Sequence, residues 1–165
     1  MRAARRALAA AILLLACASC SRDFAVRAAF IGGRLAFVAS EGTPRGPPWC
    51  LEDFAVGDRH GGIVWAIDDI PYSGNGRCAT GFPLIYGQVP PAAKQKVAAQ
   101  PLRLRELYVI TGFGGDPYKG AFVLFRDGGR VSVENIDPDR PAALAARERI
   151  ERSRTLSTPP GGREG

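Results

Sequence analysis

Apolar and polar side chains alternate over short stretches between residues 24 and 136. Alternation with a period of two is typical of β-strands that bury one face. The clearest case runs from Phe24 to Ala39 and is interrupted only by Gly32 and Gly33. Adjacent glycines between two alternating runs indicate a two-residue turn. The sequence therefore predicts a β-hairpin at the start of the folded part.

Six further runs have strand character and are separated by segments rich in glycine and proline. They are residues 50–56, 62–68, 82–89, 104–111, 121–126 and 130–136. The last two flank Asp127, Gly128 and Gly129, which indicates a second hairpin turn. No long helical period lies between the runs. We therefore predict an all-β fold, an antiparallel β-sandwich of about 7–8 short strands.

The N-terminal residues 1–20, MRAARRALAAAILLLACASC, differ from this central part. A basic start, an apolar run from Ala7 to Ala16 and small residues before a cysteine are the three parts of an export signal. The apolar run is too short to cross the ~30 Å hydrocarbon core of a membrane as a helix.

The stretch LLACASCS resembles the lipobox of bacterial lipoproteins, in which an apolar and a small residue precede a cysteine that is acylated. The resemblance implies lipidation of one of the two cysteines in this stretch; we expect Cys20, with Cys17 as the alternative. Cys17 has the more typical preceding residues. Cys20 as the anchor instead leaves an even number of cysteines in the mature chain, which avoids an unpaired thiol in an oxidising compartment.

The C-terminal part predicts a different kind of structure. The sequence DPDRPAALAARERIERSR favours a short helix from Pro141 to about Ser153, whose mostly alanine face buries little unless it docks. The final STPPGGREG is predicted to be disordered. The predicted organisation is an export signal at 1–20, a β-sandwich domain at 21–138, and a short helix with a disordered tail at 139–165.

Cys50 and Cys78 are predicted to form a disulfide. Neither has a second cysteine or a histidine close by in sequence, as a zinc site would require, and export removes both from reducing conditions. The chain-entropy model gives roughly 3 to 4 kcal/mol for a loop of this length. That is a large share of the stability of a small domain.

Three residues carry a second resemblance. Cys50, Trp65 and Tyr108, the last in the run PLRLRELYVITG, resemble the cysteine, core tryptophan and corner tyrosine of immunoglobulin and fibronectin type III domains. The resemblance implies a sandwich. It departs from the family at Cys78, which comes too early for the inter-sheet disulfide. Because this architecture carries many functions, it implies none in particular.

The charge distribution does not favour nucleic acid as a partner. The formal net charge is +6, yet Arg2, Arg5 and Arg6 belong to the predicted export signal. Between Arg22 and Pro138 there are 13 basic and 12 acidic residues. A nucleic-acid site needs basic residues that cluster, and this nearly neutral segment has no basic stripe.

Residues suited to catalysis are sparse. His60, the only histidine, lies in GDRHGG, which predicts an exposed turn. The adjacent Asp68 and Asp69 would point to opposite faces of a strand and make a poor acid–base pair. The loop GFGGDPYKG, with Asp116 and Lys119, lacks the spacing of a phosphate-binding loop. We therefore predict no catalytic, metal or cofactor site and expect the protein not to be an enzyme.

The segment 70–82, IPYSGNGRCATGF, is the candidate partner-binding loop. A disulfide at Cys78 would hold it in place, and Tyr72, Asn75 and Arg77 offer aromatic, amide and cationic groups. We expect a lipid-anchored, non-enzymatic module that faces the periplasm, in the outer rather than the inner membrane, and binds another envelope protein. An inhibitor of a cell-wall hydrolase that uses this loop is the first alternative. A small hydrolase that uses the acidic and glycine-rich loops ranks last.

Overall fold

The computed structural model describes residues 24–40, 51–68, 72–73, 77–78, 81–114 and 117–157. These residues form eleven strands and one helix. The strands are β1 (Phe24–Ile31), β2 (Arg34–Ala39), β3 (Asp53–Asp58), β4 (Ile63–Asp68), β5 (Tyr72–Ser73), β6 (Arg77–Cys78), β7 (Leu84–Ile85), β8 (Lys94–Val97), β9 (Leu107–Phe113), β10 (Pro117–Asp127) and β11 (Arg130–Ile136), and the helix is α1 (Pro141–Ser157). The predicted export signal with Cys17 and Cys20, the residue Cys50 and the tail 158–165 lie outside the described residues.

Nine strands form one sheet in the order β7-β2-β1-β10-β9-β3-β4-β8, with β11 also paired to β10. The short strands β5 and β6 pair only with each other. The prediction of a mostly β fold with a short C-terminal helix is confirmed. A two-sheet sandwich is not confirmed, because the described strands of the main sheet are continuous.

The prediction that all strands pair in antiparallel fashion is wrong, because β1 and β10 are parallel. The hairpin partner β11 covers β10 only from Ala121 onward. The first residues of β1 pair with the earlier part of the same edge of β10, where Phe24 lies opposite Tyr118. Gly120 allows this approach, since a Cβ atom there would clash with the carbonyl oxygen of Val26.

Both predicted hairpins are confirmed. β1 and β2 pair from Val26 to Ala39, and β10 and β11 pair from Ala121 to Ile136. The turn residues Gly32 and Gly33 have φ of 56° and 77°, and the second glycine pair is similar. Two successive positive φ values define the tight turn that matches the twist of a hairpin, and glycine adopts them without strain.

The sheet is strongly curled around an aromatic core. The ring of Phe37 on β2 lies 5.1 Å from that of Phe54 on β3 and 6.1 Å from that of Trp65 on β4. In a flat sheet β2 and β4 would be five strand spacings apart, roughly 24 Å. The Tyr86 hydroxyl donates a hydrogen bond to the carbonyl oxygen of Gln100 at 2.7 Å. This bond links the segment after β7 to the segment after β8, so the two outer edges of the sheet approach each other.

Two residues of the immunoglobulin resemblance do occupy core positions. Trp65 is fully buried. The Tyr108 hydroxyl accepts a hydrogen bond from the backbone N–H of Arg103 at 2.7 Å, five residues earlier in the chain. A buried tyrosine that bonds back to the preceding backbone is the arrangement of a tyrosine corner.

Helix α1 packs on the outer face of β3 and β9. Its buried residues are Ala143, Ala146 and Ile150. A Cβ atom on Gly57 of β3 would clash with the side chain of Ile150, so small residues on both elements allow a close approach. The Arg149 guanidinium donates two hydrogen bonds to the carbonyl oxygen of Arg59, at 2.8 and 3.1 Å. The alanine face predicted to be weak on its own is therefore docked.

Candidate interaction surface

Strand directions give the sheet two ends. Phe24, the first residue of β1, lies opposite Tyr118 near the start of β10, and the two strands run in the same direction. Both glycine turns, Gly32–Gly33 and Gly128–Gly129, therefore lie at the far end. We call the two regions the Phe24 end and the hairpin-tip end. Seven residue steps along β1 at ~3.3 Å each separate them by about 23 Å.

The described residues include five exposed large apolar side chains, and four of them lie at the hairpin-tip end. These four are Phe30, Ile31, Leu104 and Val131, and they are 38 to 43% exposed. The segment before β9 is placed there because the N–H of Arg105 bonds to the carbonyl oxygen of Leu124, near the top of β10, at 2.7 Å. The fifth side chain, Phe113, is 40% exposed and lies at the Phe24 end.

Five exposed arginines accompany the four apolar side chains at the hairpin-tip end. They are Arg34, Arg103, Arg105, Arg126 and Arg130. In the part of the chain that the structure describes, none of them forms an ion pair. The acidic residues beside them are Glu106, Asp127 and Glu134, the last opposite Val123, so five arginines lie near three carboxylates and positive charge is in excess. We call the five arginines and four apolar residues together the hairpin-tip surface.

Arg105 has an unusual backbone conformation for its residue type. Its φ is 61°, the one positive value for a non-glycine residue among those described. Left-handed backbone at an arginine costs on the order of 1 kcal/mol and persists where surrounding structure imposes it. At this position the N–H of Arg105 donates a hydrogen bond to the carbonyl oxygen of Leu124. The strain lies within the hairpin-tip surface rather than elsewhere in the fold.

This surface combines two kinds of group that bind proteins well. Arginine forms two parallel hydrogen bonds to a carboxylate and is enriched at protein interfaces. Exposed apolar side chains beside it supply the area that is desolvated on binding. The complementary partner is therefore a surface with carboxylates and apolar groups.

The described residues that flank the predicted partner-binding loop, Asp68 and Phe82, lie at the opposite end. The described part of the loop itself is the ribbon of β5 and β6, in which Tyr72 lies opposite Cys78 and Ser73 opposite Arg77; Asn75 lies outside the described residues. The loop leaves β4 and returns at Phe82, whose ring lies 5.4 Å from that of Tyr118 at the Phe24 end. Binding through this loop, and its use as an inhibitor of a cell-wall hydrolase, remain predictions.

The described residues of the acidic and glycine-rich loops form two separate ion pairs. Asp68 pairs with Lys96 at 2.9 Å, and Lys119 pairs with Asp139 at 2.9 Å. In the sheet, β9 and β3 lie between β10, which carries Lys119, and β4, which carries Asp68. The hydrogen bond from Lys119 lowers the pKa of Asp139 below its ordinary value.

Two other predicted chemical positions, Asp69 and Asp116, lie outside the described residues. Within the described ranges no three histidine, cysteine or carboxylate side chains are close enough to hold a metal ion.

His60 lies in the exposed turn that the sequence predicted. Its backbone N–H donates to Oδ1 of Asp58 at 2.7 Å. Its ring nitrogen Nε2 accepts a hydrogen bond from Nε of Arg59 at 3.1 Å. The Asp58 carboxylate thus caps the turn through backbone N–H groups, a structural role common for aspartate.

Asn135 is the residue that sequence reasoning missed. Its Oδ1 accepts a hydrogen bond from the N–H of Ala28 at 2.7 Å, and its Nδ2 donates to the carbonyl oxygen of Ala28 at 2.9 Å. The carboxamide thereby takes the place of a backbone partner between β1 and β11. A polar residue in the strand run RVSVENI was the available signal, but it did not identify the partner.

No protein-family model, curated protein or solved structure matches this chain. The helix of the described region is not long and apolar enough to cross a membrane.

Proposed function

We propose that the protein is a lipid-anchored, non-enzymatic binding module of the bacterial envelope whose hairpin-tip surface binds an acidic, partly apolar surface of another envelope protein. The observation that carries the proposal is the clustering of four exposed apolar side chains and five exposed arginines at one end of the sheet. They come from three separate chain segments, so the fold rather than the local sequence assembles them.

The N-terminal sequence supports the anchor. Lipid on Cys20 would be four residues from the start of β1 at Phe24, a reach of at most ~14 Å. The Phe24 end would then stay close to the bilayer. The hairpin-tip surface would face away from that membrane, about 23 Å farther out. This orientation favours a protein in the periplasm over the lipid of the same membrane as the partner.

The proposal includes the disulfide between Cys50 and Cys78 and lipidation at Cys20, or at Cys17. We expect the protein purified from envelopes to have the mass of a chain that starts at the lipidated cysteine. We also expect no thiol at Cys50 or Cys78 to react with an alkylating agent before reduction. An intact chain that starts at Met1, with both thiols alkylated, would overturn the anchor and the disulfide together.

Charge reversal at the hairpin-tip surface tests the binding. Arg126→Glu combined with Arg130→Glu places carboxylates in the β10–β11 hairpin, where both side chains are exposed. We expect at least a tenfold loss of the partner captured by cross-linking in intact cells. The matched control is Arg140→Glu, an exposed arginine after β11 at the Phe24 end. Equal loss in both variants, or no loss in the double variant, would contradict the proposal.

A further inference from the structure

No backbone ladder joins β1 and β11 towards the hairpin-tip end. Both lie on the same side of β10, but β1 pairs with β10 only at Phe24 and Ala25, whereas β11 pairs with it from Ala121 upward. At Ala28 the Asn135 side chain bridges the two strands. Because a side chain spans the gap there, the strands are farther apart than the ~4.8 Å of a ladder. Above this point no backbone hydrogen bond joins β1 to β11 in the described region.

Backbone groups of β1 point into this gap. The N–H and C=O of Ala28 face Asn135. Along a strand, backbone groups of alternate residues point to the same edge. The N–H and C=O of Phe30 therefore face the gap too.

The other wall of the gap is β11. In a two-residue hairpin the residues that flank the turn, here Asp127 and Arg130, form a hydrogen-bonded pair. Ser132 and Glu134 then also face β10, and the alternate residues Val131 and Val133 present their N–H and C=O groups towards β1. Neither valine has another hydrogen-bond partner among the described residues. Two open strand edges therefore face each other.

We infer that this gap accepts a short extended segment of the partner as an added strand between β1 and β11. The inference rests on the proposed function, since it specifies how the partner binds the hairpin-tip surface. Open strand edges bind peptides through main-chain hydrogen bonds, with side-chain pockets that add specificity. Charged side chains at a strand edge restrict what can pair with it; here the arginines beside the gap disfavour a basic strand and favour one that carries carboxylates.

The surroundings of the gap define the segment that fits. Phe30 and Val131 are 38% and 40% exposed beside it, and they would contact apolar residues on one face of an added strand. The five arginines of the hairpin-tip surface would pair with carboxylates. The occupant is therefore an extended segment of an acidic protein, with glutamate or aspartate alternating with apolar residues.

A peptide titration of the lipidated full chain in detergent micelles tests the inference. The probe is a blocked hexapeptide of alternating glutamate and valine. One comparison peptide carries lysine in place of glutamate, and another carries N-methyl groups on alternate residues, which removes main-chain donors but keeps the carboxylates. Amide chemical shifts report the site, and we expect the largest changes at Phe30, Val131 and Val133. Both comparison peptides should bind at least tenfold more weakly.

A pair of variants separates the backbone from the side chain. Val131→Pro removes an N–H that faces the gap and is not part of the β10 ladder, and we expect at least fivefold weaker binding. Val131→Thr keeps that N–H and should bind as the unchanged chain does. If the proline variant does not fold, the N-methylated peptide decides the same question.

Each other result overturns the inference in a recognisable way. Equal binding of the N-methylated peptide would leave an anion-binding surface without strand addition. Failure of the glutamate peptide, while charge reversal still abolishes partner capture, would contradict strand addition alone. Failure in both experiments would remove the proposed function as well. If the chemical shifts of these amides change with protein concentration in the absence of peptide, the occupant of the gap is a second copy of the chain.

Discussion

Replacement of Asn135 by alanine should destabilise the fold through β1. The variant removes both hydrogen bonds to Ala28, at 2.7 and 2.9 Å, and leaves a part-buried backbone N–H and C=O without them. At about 1 kcal/mol for each hydrogen bond, the free energy of unfolding should fall by about 2 kcal/mol. A small domain has a total of only about 5–15 kcal/mol, so the loss is readily measured.

Urea unfolding followed by tryptophan fluorescence is a suitable assay for Asn135→Ala, because Trp65 lies in the core. With a slope typical of small proteins, the midpoint should fall by roughly 1 M. Glu134→Ala, at the exposed neighbouring position, is the control and should change stability by less than about 0.5 kcal/mol. If Asn135→Ala were as mild as this control, the carboxamide would not be holding β1 to β11, and our account of the gap would be refuted.

Three further changes test other parts of the structure. Ile150→Ala should lower the free energy of unfolding by about 3 kcal/mol, because the side chain is fully buried between α1 and the sheet. Protease cleavage within α1 should then accelerate. Unchanged cleavage would show that the helix docks without this side chain. Burial raises the pKa of Tyr86 to about 12 from 10.0, so the folded state retains the neutral phenol while the unfolded state ionises, and stability should fall as the pH rises from 10 to 12. Tyr86→Phe should lower stability by about 1 kcal/mol at neutral pH, because the hydrogen bond to Gln100 is lost. The loss of stability between pH 10 and 12 should also be smaller in this variant. An equally steep loss would show that Tyr86 is not the group that titrates. Arg105→Gly should relieve the backbone strain at φ 61° and keep or raise stability by up to about 1 kcal/mol, yet weaken partner binding; a clear loss of stability would show that the conformation carries no strain.

Local features of the fold could be predicted because neighbouring residues determine them. The glycine pairs at positions 32–33 and 128–129 identified both hairpins. A tight two-residue hairpin turn needs positive φ at both central residues, and adjacent glycines adopt such values readily. The exposed turn at His60 followed from adjacent glycines and charges in the same way. Strand β8, Lys94–Val97, was missed because it lies at the edge of the sheet with its lysines exposed, so it lacks the alternation that burial imposes. Charged edge strands of this kind are common because they discourage aggregation.

Features that depend on distant residues could not be predicted. The parallel pairing of β1 with β10 joins positions 94 residues apart in sequence. No residue pattern near either strand specifies such a long-range pairing. Asn135 and Ala28 are separated by 107 positions. The arginines of the hairpin-tip surface are dispersed between residues 34 and 130. Along the sequence they do not cluster, and only the strand register brings them to one end.

A photo-cross-linking comparison of Phe30 and Phe113 addresses the proposed binding surface with the fewest assumptions. The two phenylalanines are 38% and 40% exposed and lie at opposite ends of the sheet, so benzoylphenylalanine at either position reports only which end meets the partner. We expect a discrete protein adduct from position 30 that disappears when Arg126 and Arg130 are replaced by glutamate, and no such adduct from position 113. An adduct from position 113 alone, or adducts from both positions that ignore the charge reversal, would show that the hairpin-tip surface is not where this protein binds.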